Sequence, residues 1–332
     1  MYKRQVPVDA ELDLADLQPH LHTLPGQPDA IPYVTSYYRR EWGFCLTQRQ
    51  RDALRPGRYR VRIDATLAPG HLTYGELRIP GQSPDRELFF STYVCHPSMA
   101  NNELSGPVIA AALARWLSDR PNRLAMRFVW LPETIGSLVY LSRHLEELRR
   151  RVAAGFVLTC LGDEGTPSFL PSRRGDTLAD RAARCVLSHL APGFREHDFL
   201  ERGSDERQYC SPGADLPICS VMRTKYHTFP QYHTSLDDLE FVTAKGLDTS
   251  LQILKRCVEV LDANAIPQAR IVGEPQLERH GLYRRPGEPG GFPPRLLLDL
   301  MAFADGRRDL IGLSDRLGVP PWELAGPART LA

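Results

Sequence analysis

Between Glu87 and Val260 short apolar runs alternate with stretches of helical spacing, and this order limits the fold more than any other feature. Glu87–Cys95 (ELFFSTYVC), Met126–Leu131 (MRFVWL), Gly155–Leu161 (GFVLTCL) and Leu216–Met222 read as strands. Pro107–Leu117, Thr134–Arg149, Asp176–Leu190 and Thr243–Val260 read as helices, with Ser105 and Thr243 as expected caps. The strand runs are apolar without alternation, as in strands buried on both faces. The order predicts an α/β fold: a three-layer αβα domain around a mixed, mainly parallel sheet.

The flanks obey other rules. Residues 1–29 and 83–265 are assigned to the αβα unit. Residues 30–82 are assigned to a small inserted β domain on the sheet edge, because Tyr59–Ala65 alternates at period two and Leu72–Ile79 follows Pro69-Gly70. Pro267, Pro275, Pro286, Pro289 and Pro293 mark 266–293 as a linker. In 294–332 an apolar helix, the Asp305-Gly306 turn, a helix at Leu310–Leu317, Gly318 and a helix opened by Pro320-Pro321-Trp322 predict a winged-helix-like (helix-turn-helix) module.

Charge removes some functions. The 332 residues carry 41 Lys+Arg against 40 Asp+Glu, a net charge of +1, so no global field attracts nucleic acid or a membrane surface. No run approaches the ~20 apolar residues of a membrane span. The seven cysteines are odd in number and scattered without a CxxC pair, which reads as reduced thiols of a cytoplasmic protein.

In an open α/β sheet, ligands bind beyond the carboxyl ends of the strands. There this chain places His96, Glu133, Asp163 and His233. Two imidazoles and two carboxylates suit Zn²⁺ or a similar divalent ion, which would lower the pKa of a water and polarise a carbonyl. Other candidates have separate roles. Arg173 and Arg223 could clamp a substrate carboxylate, Asp205 could meet an ammonium, and Tyr232 could donate to an oxyanion.

The phrases Cys95-His96-Pro97-Ser98-Met99-Ala100-Asn101-Asn102-Glu103-Leu104-Ser105-Gly106, Pro132-Glu133-Thr134-Ile135-Gly136-Ser137 and Tyr232-His233-Thr234-Ser235 carry a family likeness. With Asp163 and Ser204-Asp205 they resemble the zinc aminopeptidase/glutamate carboxypeptidase superfamily. Within it they are similar to a bacterial aminopeptidase-like branch with a C-terminal winged helix, many of whose members accompany polysaccharide or natural-product gene clusters. The resemblance implies His96 and Asp163 on a first metal, His233 on a second, and Glu133 as metal ligand or general base. Relatives also begin upstream of the point matching Met1, which implies either a truncated reading frame or a compact variant. Two departures matter. Asn102 stands where the bridging aspartate belongs, with Glu103 beside it as a substitute catalytic or bridging carboxylate. Pro132 replaces one member of a Glu-Glu pair. A neutral amide offsets no repulsion between two cations, so one zinc is expected rather than two.

The expected function is therefore metal-dependent, aminopeptidase-like hydrolysis of an amide in a small aminoacyl or N-acyl compound or short peptide. The alternative is a catalytically degenerate ligand-binding protein or scaffold. A DNA-binding regulator ranks last, because the helix after Pro320 offers only Arg329 to phosphates. The C-terminal module is instead expected to pack or to support a homodimer.

Overall fold

The computed structural model describes residues 1–282 and 291–331. Nine strands of three or more residues, or of the main sheet, organise them: β1 (Val8–Asp13), β2 (Arg58–Ile63), β3 (Gly75–Ile79), β4 (Ser83–Tyr93), β5 (Leu124–Leu131), β6 (Val152–Val157), β7 (Ser168–Leu170), β8 (Arg195–Glu196) and β9 (Ile218–Met222). Seven of them form one sheet in the order β8-β7-β9-β6-β4-β5-β3. The central run β9-β6-β4-β5 is parallel; β3 and β7 join it antiparallel.

Helices α1 (Ser105–Ser118), α3 (Leu178–Leu190) and α4 (Ala244–Ala263) cover one face, and α2 (Ile135–Arg151) covers the other. The strand sequences explain this layering. Leu88 and Phe90 of β4 enter the core under α1, while Phe89 between them packs with Tyr140 of α2. Met126 and Phe128 of β5 divide from Val129 and Leu131 in the same way. A strand with apolar residues on both faces has no solvent side, so its sequence shows no period-two alternation.

Three sequence expectations need correction. Residues 1–29 do not join the αβα unit: β1 pairs antiparallel with β2 across 44 intervening residues, from Val8↔Ile63 to Asp13↔Arg58. Their shared face buries Leu17, Leu21 and Val61 with Val8, Ala10, Leu12, Trp42 and Phe44 packed around them. Conversely β3, placed in the insertion by sequence, is an edge strand of the main sheet. Ser105 is not a cap: it is already helical, and its Oγ donates to the Asn101 carbonyl at the end of a π-helical turn over Ala100–Leu104. Thr243 does cap α4, accepting from Gly246 N.

The C-terminal module consists of α5 (Pro294–Ala302), α6 (Leu310–Leu317) and α7 (Pro321–Leu331) around Leu300, Leu310, Leu313 and Leu324. Ile311 enters the main core, and Arg181 of α3 pairs with Asp309 at 2.5 Å. The expected linker 266–293 is partly built into the module, since Gln268 bridges to Asp305; its residues 283–290 lie outside the described ones. No described helix is long and apolar enough to cross a membrane.

Candidate functional site

The site begins where β4 ends. Beyond Tyr93 the chain turns through Cys95 and His96 and re-enters the fold in the π-helical turn Ala100–Leu104. The Asp237 carboxylate fixes that turn by accepting from Asn101 N at 2.5 Å and Asn102 N at 2.9 Å. The turn swings Glu103 back onto the strand end. Its Oε1 accepts from Cys95 N, and its Oε2 lies 3.1 Å from His96 Nδ1. Among the described residues, Cys95, His96 and Glu103 are the one group of three such side chains with ligand atoms within 4.8 Å of each other. Burial, then Glu103, pushes the Cys95 thiol well up, so it stays protonated and is no nucleophile.

With Nδ1 committed to Glu103, His96 turns Nε2 toward Glu133, whose Oε2 is 3.9 Å away. Glu133 follows β5 and is tethered at Oε1 by the Ser204 hydroxyl at 3.0 Å. Burial, then the nearby Asp205, raises its carboxyl to about 8. His233 arrives from the loop after β9, its ring 5.0 Å from that of His96 and stacked on Tyr232 at 3.9 Å. Its Nε2 is buried without a hydrogen-bond partner, and burial, then His96, lowers its pKa to about 3. The imidazole is therefore neutral, with an unused lone pair. Tyr33 packs against both histidines because residues 31–35 run beside 233–235, held by Tyr33 N to the His233 carbonyl at 2.9 Å.

The backbone around these groups is unusual. Ser98, Thr134, Cys160, His227 and His233 all take φ between 52° and 70° without being glycine. Each costs on the order of 1–3 kcal/mol, and such residues cluster where side chains must be aimed. At Thr134 the amide is held by Asp205 Oδ1 at 2.8 Å, which places Glu133 at the start of α2.

The predicted site residues divide. His96, Glu133 and His233 converge. Glu103, expected as a catalytic or bridging carboxylate, instead supports His96 with both oxygens engaged. Asp163 is not among the acids within 4.0 Å of His96. Its Oδ1 accepts from Thr224 Oγ1 at 2.6 Å and Gly165 N at 2.7 Å, and its Oδ2 accepts from Asn101 Nδ2 at 2.9 Å. Asn102 donates to the Tyr93 hydroxyl at 2.9 Å and leaves Oδ1 buried and unpartnered. Arg173 is elsewhere, paired with Asp215 at 2.6 Å. Arg223 binds the Asp163 carbonyl at 3.0 Å. Asp205 is buried; its Oδ1 accepts from Thr134 N and Ser137 Oγ, both at 2.8 Å, and its Oδ2 has no hydrogen-bond partner. Tyr232 supports His233 by stacking.

Sequence reasoning missed the other wall. A cavity of about 240 Å³ opens in front of His96 and Glu133, lined also by Lys3, Arg4, Tyr33, Tyr37 and Arg207. Four of these come from the N-terminal segment. For Tyr33 and Tyr37 the sequence signal is the Tyr- and Arg-rich composition of 33–40; Lys3 and Arg4 carry none.

The donor set suits a divalent cation. Burial, before any charge, raises the Glu133 and Asp205 carboxyls, to about 8 and about 7, and a cation beside Glu133 would favour its ionised form. His96 Nε2 and Glu133 Oε2 are 3.9 Å apart and His233, its Nε2 unpartnered, lies with its ring 5.0 Å from that of His96; the three ligand atoms are not all within 4.8 Å of one another, but two imidazoles and a carboxylate are the donor types of a catalytic zinc site.

Residues 4–264 match the model of a domain of unknown function (DUF4910), and residues 265–332 match a winged helix-turn-helix. A Clostridium acetobutylicum protein, provisionally named a polysaccharide biosynthesis protein with aminopeptidase-like domain, is 38% identical over 321 residues, covering 95% of this chain and 72% of the relative. The crystal structure of a provisionally named peptidase from Clostridium acetobutylicum superposes with a TM-score of 0.91 at 35% identity, over 98% of this chain and 74% of that one. A zinc aminopeptidase of Bacillus subtilis gives a TM-score of 0.54 at 16% identity, over 72% of this chain and 62% of that one; this likeness concerns the fold.

Proposed function

The chain belongs to the DUF4910 family, joined here to a winged helix-turn-helix, and from that premise we propose that it is a metal-dependent hydrolase. It would cleave an amide bond in a small aminoacyl or N-acyl compound or short peptide. The observation that carries this reading is the buried, neutral and unpartnered His233 Nε2 beside a His96 whose own Nε2 faces Glu133. The relative described as a polysaccharide biosynthesis protein supports a small biosynthetic substrate over a protein.

His96, His233 and Glu133 would hold one zinc ion. When bound, such an ion makes a water nucleophilic near neutral pH and polarises a carbonyl oxygen. The chain's own residues supply orientation. Glu103 accepts the His96 Nδ1 proton and so keeps the Nε2 lone pair directed at the cavity. Tyr232 and Tyr33 fix the His233 ring and exclude solvent from it. Ser204 holds one Glu133 oxygen and leaves the other facing His96. Asn102, without charge, gives no bridge for a second cation.

Elemental analysis tests the reading. The purified protein, supplied with zinc and dialysed, should retain about one ion per chain, the single His₂Glu set being one site. His96→Ala and His233→Ala should each reduce that content to background. Retention of zinc by both variants would place the ion elsewhere and remove this site from consideration. Glu103→Gln should keep the fold but weaken zinc binding by roughly 10–100-fold, as loss of a carboxylate behind a ligating histidine does. A competition titration against a chelator measures that ratio.

A further inference from the structure

The cavity in front of His96 and Glu133 has a cationic wall that the hydrolase reading does not use. Lys3, Arg4 and Arg207 all line it. Lys3 Nζ donates to the Cys95 carbonyl, Arg207 Nη2 donates to Thr134 Oγ1 at 2.7 Å, and the Arg4 guanidinium lies 5.3 Å from the Tyr37 ring centroid. Among the described residues none of the three is within salt-bridge distance of a carboxylate. Other cations of the chain, such as Arg127, Arg181 and Arg184, meet an acid within 3 Å. Three cations gathered on one small cavity against a single acid, Glu133, give it a net positive lining that suits an anion.

The carboxylates give the complementary result. Glu133 is the one acidic residue lining the cavity, and it belongs to the metal set. Asp205 gives its Oδ1 to Thr134 N and Ser137, and its unpartnered Oδ2 lies off the cavity lining. Glu206 Oε1 accepts from Tyr226 Oη at 2.6 Å and from Gly203 N and Ser204 N at 2.9 Å. Glu133 apart, no carboxylate among the described residues lines the cavity to receive the ammonium of an aminoacyl substrate. Helix α2 also starts at this wall, since Thr134 and Ile135 line the cavity, and the positive end of its dipole adds to the field.

We infer that the substrate presents an anionic group, a carboxylate or a phosphate-like group, to Lys3, Arg4 and Arg207. The scissile amide would then lie over His96 and Glu133. This rests on the hydrolase reading and narrows it: the enzyme takes N-acyl amino acids or similar anionic amides, not free aminoacyl amides.

The zinc-supplied protein is titrated by calorimetry with N-acetylglycine, N-acetylglycinamide, glycinamide and N-acetylaminomethylphosphonate, and hydrolysis of all four amides is followed in parallel. N-acetylglycine should bind at least about tenfold more tightly than its neutral amide, as a charge-assisted hydrogen bond allows. The Arg4→Gln/Arg207→Gln variant should lose that preference while binding the neutral amide as before. Both residues are exposed, so their replacement leaves the core intact. The phosphonate decides which anion the wall prefers. Equal binding of acid and amide, preference for glycinamide, or no binding of the acid at millimolar concentration would overturn the inference. Acid preference without hydrolysis of any probe would leave the inference standing and sink the hydrolase reading. Hydrolysis without acid preference would do the reverse.

Discussion

Glu133→Gln should lower kcat/KM by roughly three orders of magnitude, because it removes charge from the proposed metal set while changing almost no volume. The amide can still accept from Ser204, which now binds Oε1 at 3.0 Å. What it cannot do is neutralise an ion between His96 and His233. The fold should not suffer. Burial and Asp205 already oppose the ionised form of Glu133, raising it to about 8, so an uncharged isostere removes a penalty from the ion-free protein. The chelated variant should therefore melt at or above the temperature of the chelated wild type, with zinc content and turnover both lost. Turnover within tenfold of wild type would exclude Glu133 from the reacting set. A variant that loses activity and fails to fold even without metal would mean that Glu133 is structural.

The central sheet was legible in the sequence because strands buried on both faces leave long apolar runs. Glu87–Cys95 and Met126–Leu131 lie over β4 and β5 with shifts of a few residues at their ends. The sheet's outer strands left no such trace: Ser168–Leu170 and Arg195–Glu196 are three and two residues long. The pairing of β1 with β2 was hidden for another reason. Val8, Ala10 and Leu12 do alternate, but alternation does not name a partner 44 residues downstream. At the site, strand-end position was enough to single out His96, Glu133 and His233. Roles set by side-chain direction were not legible. The π-helical turn decides that Glu103 points at His96, and Asn101 and Thr224 decide that Asp163 is already satisfied. The cationic wall was the least visible feature, since Lys3 and Arg4 reach Arg207 only through the fold of the N-terminal unit.

Arg127→Met should destabilise the protein by about 3–5 kcal/mol, the range found when one member of a buried ion network is removed. Arg127 lies in the apolar run of β5 and is fully buried. Its Nη2 is 2.9 Å from Glu87 and 2.7 Å from Glu147, and its Nη1 donates to Tyr140 Oη at 3.2 Å. Methionine fills much of the same space, so the loss measures charge and not a cavity. It leaves Glu87 buried with Arg151, at 3.3 Å, as its remaining cation. Adding Glu87→Gln should therefore restore a large part of the loss, and the double-mutant cycle by urea unfolding gives the coupling. Acid gives a second readout. The Arg127 hydrogen bond holds the Glu147 carboxyl below its ordinary range, at about 2. A carboxylate lowered in the folded state contributes stability above its unfolded pKa of about 4.3, and that contribution fades as pH falls toward 2. The difference in stability between wild type and Arg127→Met should thus be largest near neutral pH and narrow steadily between pH values of about 4.3 and 2. A difference that stays constant across that interval would show that the guanidinium acts through packing alone.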